Sequence, residues 1–212
     1  MRKSKQIMAV FTLGAVFPLL AAATLITDTV DNTDGWANLG GGFYTASIGG
    51  LAPVSGTQFW TAANAVNTRG TWKLFSDTFV EESLKVTYSV GDRNDLAWTG
   101  DVTAFLFADV NGDGLYAWTE RINSAVTTDR TDPVDGWEEW VDTYNITATT
   151  KTANNDLVLG KDIGFFVLSN IGSGENMAFD SLAIETIPEP ATLGIIAAGG
   201  IGLLWIRRLV ML

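Results

Sequence analysis

The chain has 212 residues, no cysteine and no histidine, and a formal charge of −11 although only 17% of its residues are charged. These absences exclude disulfides, thiolate or imidazole metal sites, and catalytic triads that need an imidazole base. Lysine and arginine form no cluster that could hold phosphates, so the sequence predicts no nucleic-acid partner.

The first segment, residues 1–23, has the three parts of a secretory signal peptide. Residues 1–5 carry three basic side chains, residues 7–20 form an apolar run, and residues 21–23 are three alanines suited to cleavage. A retained anchor is the alternative, but the apolar run is shorter than the roughly 20 residues that a spanning helix needs. The sequence therefore predicts export, removal of this helix by signal peptidase, and a mature chain beginning near Thr24.

Residues 24–186 carry the strand and turn signals of one all-β domain. Apolar and polar residues alternate over 84–90, which predicts a half-buried strand. Further strands are predicted at 102–108, 140–148, 163–168 and 177–184, separated by Gly- and Asp-rich turns. This pattern predicts a β-sandwich, specifically a jelly roll. Eight basic against 23 acidic residues give the domain a charge near −15, which should keep it soluble.

Residues 109–120 match the calcium-loop pattern D-x-[DN]-x-[DN]-G-x5-E. The candidate ligands are the side chains of Asp109, Asn111, Asp113 and Glu120 and the carbonyl of Leu115. Oxygen ligands suit Ca²⁺, which extracellular modules bind with low affinity. Because a strand precedes the loop, the motif would be a calcium hairpin rather than an EF-hand. The same residues are equally compatible with a tight Asn-Gly/Asp-Gly turn that binds no metal, and both interpretations stay open.

Seven of the eight tryptophans lie in the predicted domain. An exposed indole can stack on a sugar ring, whereas a buried one fills the core. Trp72 and Trp140 occur in apolar alternation and are predicted to be core residues. Trp98 and Trp118 occur in loop-like surroundings and are the candidate glycan-binding residues.

Two pairs of adjacent glutamates, at 81–82 and 138–139, are candidate glycosidase carboxylates, because such enzymes use two. Neighbouring residues on a strand point to opposite faces, so neither pair forms a site by itself. The sequence therefore predicts no catalytic residues and a protein that is not an enzyme.

The last segment, residues 187–212, combines a proline-bounded element, a short apolar run and a basic flank. Pro188, Glu189 and Pro190 favour an extended backbone that suits a protease groove. The uncharged run that follows is near the minimum length for a transmembrane helix. Arg207 and Arg208 would hold its end in the cytoplasm, with the domain outside.

The sequence PEPATLG at residues 188–194, together with the predicted helix and the arginines that follow it, resembles the PEP-CTERM sorting domain. The resemblance implies passage through the inner membrane and processing by exosortase, an integral-membrane protease of bacteria that make exopolysaccharide. It also implies that Pro188, Glu189 and Pro190 are the recognition element. Residues 209–212 follow the arginines, whereas the family usually ends with its basic cluster.

A second resemblance covers the domain itself. The segments LKVTYSVGDR (84–93), YNITATT (144–150), FFVLSN (165–170) and AFDSLAIE (178–185) resemble the galactose-binding-like jelly roll. This resemblance implies the fold. It only suggests a carbohydrate ligand, because folds of this kind host unrelated functions.

The prediction is therefore an exported, non-enzymatic surface or matrix protein that binds extracellular polysaccharide. The alternative is an exported, calcium-dependent hydrolase or lyase that works through Asp and Glu. A third hypothesis is a structural coat protein without a ligand.

Overall fold

The computed structural model describes residues 25–45, 50–63, 69–92, 98, 100–122, 125–127, 133, 136–171 and 175–187. The predicted signal peptide and residues 188–212 lie outside these ranges. The strands are β1 (Leu25–Asp28), β2 (Ala37–Leu39), β3 (Gly42–Tyr44), β4 (Phe59–Ala63), β5 (Arg69–Thr78), β6 (Glu82–Asp92), β7 (Asp101–Asp109), β8 (Ala125–Thr127), β9 (Trp137–Ile146), β10 (Asp162–Asn170) and β11 (Asn176–Ile187). Short 3-10 helices span Asn32–Asp34 and Trp118–Glu120.

The strands form two antiparallel sheets. Within the described ranges, the larger sheet has the order β3-β4-β11-β6-β9-β8, with β1 also paired to β11, and the smaller has the order β2-β5-β10-β7. From β4 onward the chain passes repeatedly from one sheet to the other. The molecule is therefore a β-sandwich of the jelly-roll type, which confirms the predicted fold class.

The core lies between the sheets and follows the predicted alternation. Leu84, Val86, Tyr88 and Val90 of β6 are buried against residues of β7, β10 and β11. Burying one large apolar side chain contributes about 1.5–3 kcal/mol, so this layer supplies much of the stability.

Two sequence predictions about individual residues need correction, and one is confirmed. Trp140 is a buried core residue, as predicted. Trp72, also predicted to be core, belongs instead to a separate cluster with Phe105, because its strand directs it away from the main core. The prediction that Ala148 continues a strand is wrong, since β9 ends at Ile146 and Ala148 lies in an exposed turn.

One edge of β11 is shared between two strands. Its first part pairs with β4, and residues from Leu182 to Glu185 pair with β1. The pairing with β6 shifts register between Asp180 and Leu182, and Ser181 has a left-handed φ of 53°. Leu25 lies opposite Glu185. The start of β1 and the end of β11 are therefore neighbours in the sheet.

Candidate functional site

The outer face of the four-stranded sheet carries an aromatic cluster. On β7, Phe105 and Phe107 alternate with Leu106, which packs into the main core. Phe166 of β10 lies opposite Phe105 and its ring centroid is 5.2 Å away. The cluster is completed by the partly buried residues Trp72, Leu74, Tyr116 and Leu168. The near-continuous apolar runs of β7 and β10 thus make apolar contacts on both faces.

The segment after β7 folds back over this cluster. Tyr116 stacks on Phe166, with ring centroids 4.0 Å apart and planes 8° from parallel. Trp118 contacts Phe105 edge to face at 5.5 Å. Tyr116 and Trp118 therefore fix the loop against the sheet.

Trp118 is held in place yet remains half exposed. Its side chain is 50% accessible to solvent. The guanidinium of Arg121 lies 4.5 Å from the centre of the indole and donates a 2.7 Å hydrogen bond to the Trp118 carbonyl. The sequence prediction that Trp118 is an accessible loop residue therefore agrees with its surroundings, and its role in ligand binding stays a prediction.

The candidate calcium residues form consecutive tight turns. The Asp109 carboxylate accepts hydrogen bonds from the backbone N–H groups of Gly112 (2.8 Å) and Gly114 (3.0 Å). Asn111 Oδ1 accepts a hydrogen bond from Asp113 N at 2.8 Å. Asp113 Oδ1 accepts one from Leu115 N at 2.8 Å. Gly112 and Gly114 have φ near +70°, a conformation that glycine adopts without a Cβ penalty.

Glu120 closes the base of the same loop. It is 3% exposed, and its two carboxylate oxygens accept from Val110 N and Ala117 N, both at 3.2 Å. Burial is the main cause that raises the pKa of Glu120, and the Asp109 charge raises it further, while the backbone hydrogen bonds act in the opposite direction.

The loop fits a hard cation in part. Asp109, Asn111 and Asp113 supply side-chain oxygens on one continuous turn, which suits Ca²⁺. Each of these side chains, like Glu120, already accepts hydrogen bonds within the loop, and no group of three Asp, Glu, His or Cys side chains in the described part of the chain is arranged to hold a metal. The residue types therefore suit calcium, their arrangement is that of a hydrogen-bonded turn, and calcium binding stays a prediction.

A recess of about 290 Å³, lined mainly by polar residues, lies between this loop and the segment that joins β9 to β10. Its lining consists of Val110, Asn111, Ala117, Thr119, Glu120, Asn154 and Asp156. Ala117 and Thr119, which flank Trp118 in sequence, line the recess, whereas the indole itself packs against Phe105 and Arg121. Asn154 Nδ2 donates to Asp156 Oδ2 at 3.0 Å, and Asn154 N donates to Thr119 O at 3.1 Å. These contacts tie the turn that carries Asn154 and Asp156 to the backbone of Thr119, the residue after Trp118.

Sequence reasoning missed Asn154 and Asp156. The only local signal is the turn-forming run 154–156, in which Asn155 has a left-handed φ of 69°. Nothing in that run indicates contact with a loop more than 30 residues earlier.

The second tryptophan candidate has different surroundings. Trp98 is half-buried, packs against the main core and meets Trp140 edge to face at 6.4 Å. The structure therefore gives Trp98 a packing role and does not group it with Trp118, and ligand binding by Trp98 stays a prediction.

The comparison with protein families supports the sorting signal. The PEP-CTERM protein-sorting motif matches residues 186–208. The match confirms the predicted signal and indicates an exported protein that is membrane-anchored before processing. Pro188, Glu189, Pro190, Arg207 and Arg208 lie outside the described residues, so their individual roles stay predictions. Within the described ranges, no helix is long and apolar enough to cross a membrane.

The search of curated proteins gives no match for this chain. Similar solved structures include the CBM22-1 xylan-binding domain of Paenibacillus barcinonensis Xyn10C, with 13% identity and a TM-score of 0.47, covering 77% of this chain and 94% of that one. The CBM22-1–GH10 modules of Clostridium thermocellum Xyn10B complexed with xylohexaose have 18% identity and a TM-score of 0.46, covering 77% and 28%. A xylan-binding module CBM15 has 10% identity and a TM-score of 0.46, covering 78% and 99%.

Proposed function

We propose that this protein is an exported, non-enzymatic glycan-binding protein of the cell surface or extracellular matrix, processed from its membrane-anchored precursor by exosortase. The sorting motif at 186–208 supports the processing step. One observation carries the glycan-binding part: the half-exposed Trp118 is fixed by Arg121 and Phe105, and the residues on either side of it in sequence line a recess with polar side chains.

Stacking on Trp118 supplies the apolar part of the proposed contact. The C–H face of a sugar ring is apolar and can cover an aromatic ring, while its hydroxyls need hydrogen-bond partners. Because Trp118 is already held by two neighbours, little side-chain entropy is lost when a ligand covers it. Preorganisation of this kind raises affinity without additional contacts.

The recess supplies the polar part. Asn111 and Asn154 offer amide groups, Thr119 a hydroxyl and Asp156 a carboxylate, a set that can both donate to and accept from sugar hydroxyls. The carboxylates of Glu120 and Asp156, within a domain of charge near −15, disfavour a polyanion. The proposed ligand is therefore a neutral polysaccharide.

Calcium is the proposed cofactor of the loop, bound with low affinity. The ligands would be Asp109, Asn111 and Asp113 through their side chains and Leu115 through its carbonyl. The ion would neutralise the acidic turn next to Trp118 and would supply no chemistry beyond that. Glu120 would join only by giving up its bonds to Val110 and Ala117.

A glycan hydrolase is the second candidate, because Glu120 combines a raised pKa with a recess that also contains Asp156. A raised carboxyl pKa is typical of a general acid. Against this, both oxygens of Glu120 accept backbone hydrogen bonds, which leaves the group poorly placed to transfer a proton. Release of reducing ends from a bound polysaccharide would favour this candidate.

Affinity electrophoresis through gels containing neutral polysaccharides tests the proposal. Trp118→Ala should lower the affinity derived from the retardation at least tenfold, a loss of about 1.4 kcal/mol of binding free energy. Trp118→Phe should restore part of that affinity. Val80→Ala is the matched control, because Val80 is a 52% exposed apolar residue outside the site. Equal retardation of the wild type and Trp118→Ala by every retarding polysaccharide would overturn the assignment of the site.

A further inference from the structure

The sorting motif and the folded domain share residues. The motif begins at residue 186, whereas β11 runs from Asn176 to Ile187. Thr186 pairs with Leu84, and Ile187 pairs with Ser83 of β6. The beginning of the motif is therefore part of an antiparallel ladder.

A strand cannot serve two partners through the same backbone groups. Proteases bind extended segments largely through main-chain hydrogen bonds, in the manner of an added strand. The ladder with β6 already engages main-chain groups of this segment, because hydrogen-bonded and non-hydrogen-bonded pairs alternate along it through Thr186 and Ile187. Thr186 is partly buried and lines a recess with Ile26, Leu84 and Ile184.

The end of β11 is the part of this ladder that can open at least cost. Ile187 is 39% exposed, and its pair with Ser83 is the last one of the strand. Terminal pairs open with a much smaller free energy than the global unfolding of a domain. Local unpairing can therefore expose residues 186–187 while the core stays folded.

We infer that the processing enzyme binds Thr186 and Ile187 together with the rest of the motif, and that it competes with β6 for them. This inference rests on the proposed processing. Cleavage breaks one backbone amide: the acyl group passes to water or to an acceptor amine, and the C-terminal segment leaves with a new amino group. The precursor is thus processed from a state in which the end of β11 is unpaired.

A reversible cross-link tests this competition. Directly opposed residues of antiparallel strands have Cα atoms about 4.5–5.5 Å apart, within the range that a disulfide spans. The double variant Ser83→Cys with Ile187→Cys would lock the end of β11 to β6. The natural chain has no cysteine, so no other disulfide can form. The double variant Ser83→Cys with Asn145→Cys is the matched control, because Asn145 of β9 lies opposite Ser83 on its other side.

The readout is conversion of the precursor to the mature form in membranes of the host cells, followed by mass spectrometry. The oxidised 83–187 lock should slow conversion at least fivefold, and dithiothreitol should restore the rate of the Ile187→Cys single variant. The 83–145 lock should match wild type in conversion rate, and melting temperatures of both oxidised precursors that are no lower than that of wild type show that the fold is kept. Conversion of the oxidised 83–187 lock at the rate of that single variant would overturn the inference. A wild-type precursor that is never converted would instead overturn the processing proposal, and the inference with it.

Discussion

Tyr116 joins the acidic loop to the sheet through a single ring. Its parallel stack on Phe166 and its edge contact with Phe107 bury most of its apolar surface. The hydroxyl is buried without a hydrogen-bond partner among the described residues, and burial raises the pKa of the phenol, which keeps it protonated. The ring thus stabilises the loop while the hydroxyl opposes that gain.

Two substitutions at Tyr116 separate these effects. Tyr116→Phe removes the unpartnered hydroxyl and should leave the free energy of unfolding unchanged or raise it by about 1 kcal/mol. Tyr116→Ala removes the ring and should lower the free energy of unfolding by about 3 kcal/mol. Urea unfolding of both variants measures the difference. Equal losses in the two variants would show that the hydroxyl has a partner on which stability depends.

Asp180 ties a surface segment to the larger sheet. Its carboxylate accepts from Val54 N at 2.6 Å, from Ser55 N at 3.2 Å and from Ser55 Oγ at 3.3 Å. Burial raises the pKa of Asp180 from 3.8 to about 6, although its hydrogen bonds act in the opposite direction. The folded state therefore holds the proton at a pH where the unfolded state has released it.

The pH dependence follows from that difference. The favourable contribution of protonated Asp180 is complete below pH 3.8 and is lost as the pH rises through about 6. Asp180→Asn keeps an oxygen acceptor but cannot titrate, so its urea midpoint should fall less than that of wild type between pH 4 and 6.5. Parallel midpoint curves for the two proteins would contradict a raised pKa at this residue.

At the scale of elements, the loop at 109–120 has two differently built halves. The first half is a run of turns whose side-chain oxygens cap their own backbone, and Asn111 and Asp113 are exposed. The second half is the short helix Trp118–Glu120, fixed by the aromatic contacts of Trp118 and by the buried Glu120. Calcium would act on the first half, because the side chains of Asn111 and Asp113 are exposed there whereas Glu120 is buried.

Thermal unfolding tests the calcium site. Binding to the folded state alone raises the melting temperature as the ligand concentration increases. We expect the melting temperature to rise with millimolar CaCl₂, and Asp113→Ala should abolish the rise. Glu138→Ala on β9 is the control and should keep it. A melting temperature that does not respond to millimolar calcium would identify the loop as a metal-free turn.

The sequence predicts elements of this fold better than their contacts. The strands predicted at 84–90, 102–108, 163–168 and 177–184 correspond to β6, β7, β10 and β11, because alternation and burial are local properties. Local alternation did not show that Trp72 faces away from the core, since that depends on which sheet face meets the second sheet. The recess was not predictable, because Thr119 and Asn154 meet only through the assembled fold.

At the scale of the whole molecule, the same β-sandwich carries the start of the sorting motif and the proposed ligand-binding surface. The sorting motif starts at the end of β11, and the candidate glycan site is built on a loop outside the four-stranded sheet. A net charge near −15 favours solubility and disfavours polyanionic ligands. The proposed processing and the proposed ligand binding involve different residues and can be tested separately.

The most direct test of glycan binding is nuclear magnetic resonance of the tryptophan indole N–H groups. The domain from Thr24 to Thr186 contains seven tryptophans, so titration with neutral cello-, xylo- and manno-oligosaccharides can be followed signal by signal. The Trp118 signal, assigned from the spectrum of Trp118→Phe, should shift in a saturable way with at least one oligosaccharide, while the signal of buried Trp60 stays in place. Saturable binding that shifts other tryptophans and leaves Trp118 unmoved would contradict the proposed site, and no shift with any of them would contradict neutral glycan binding itself.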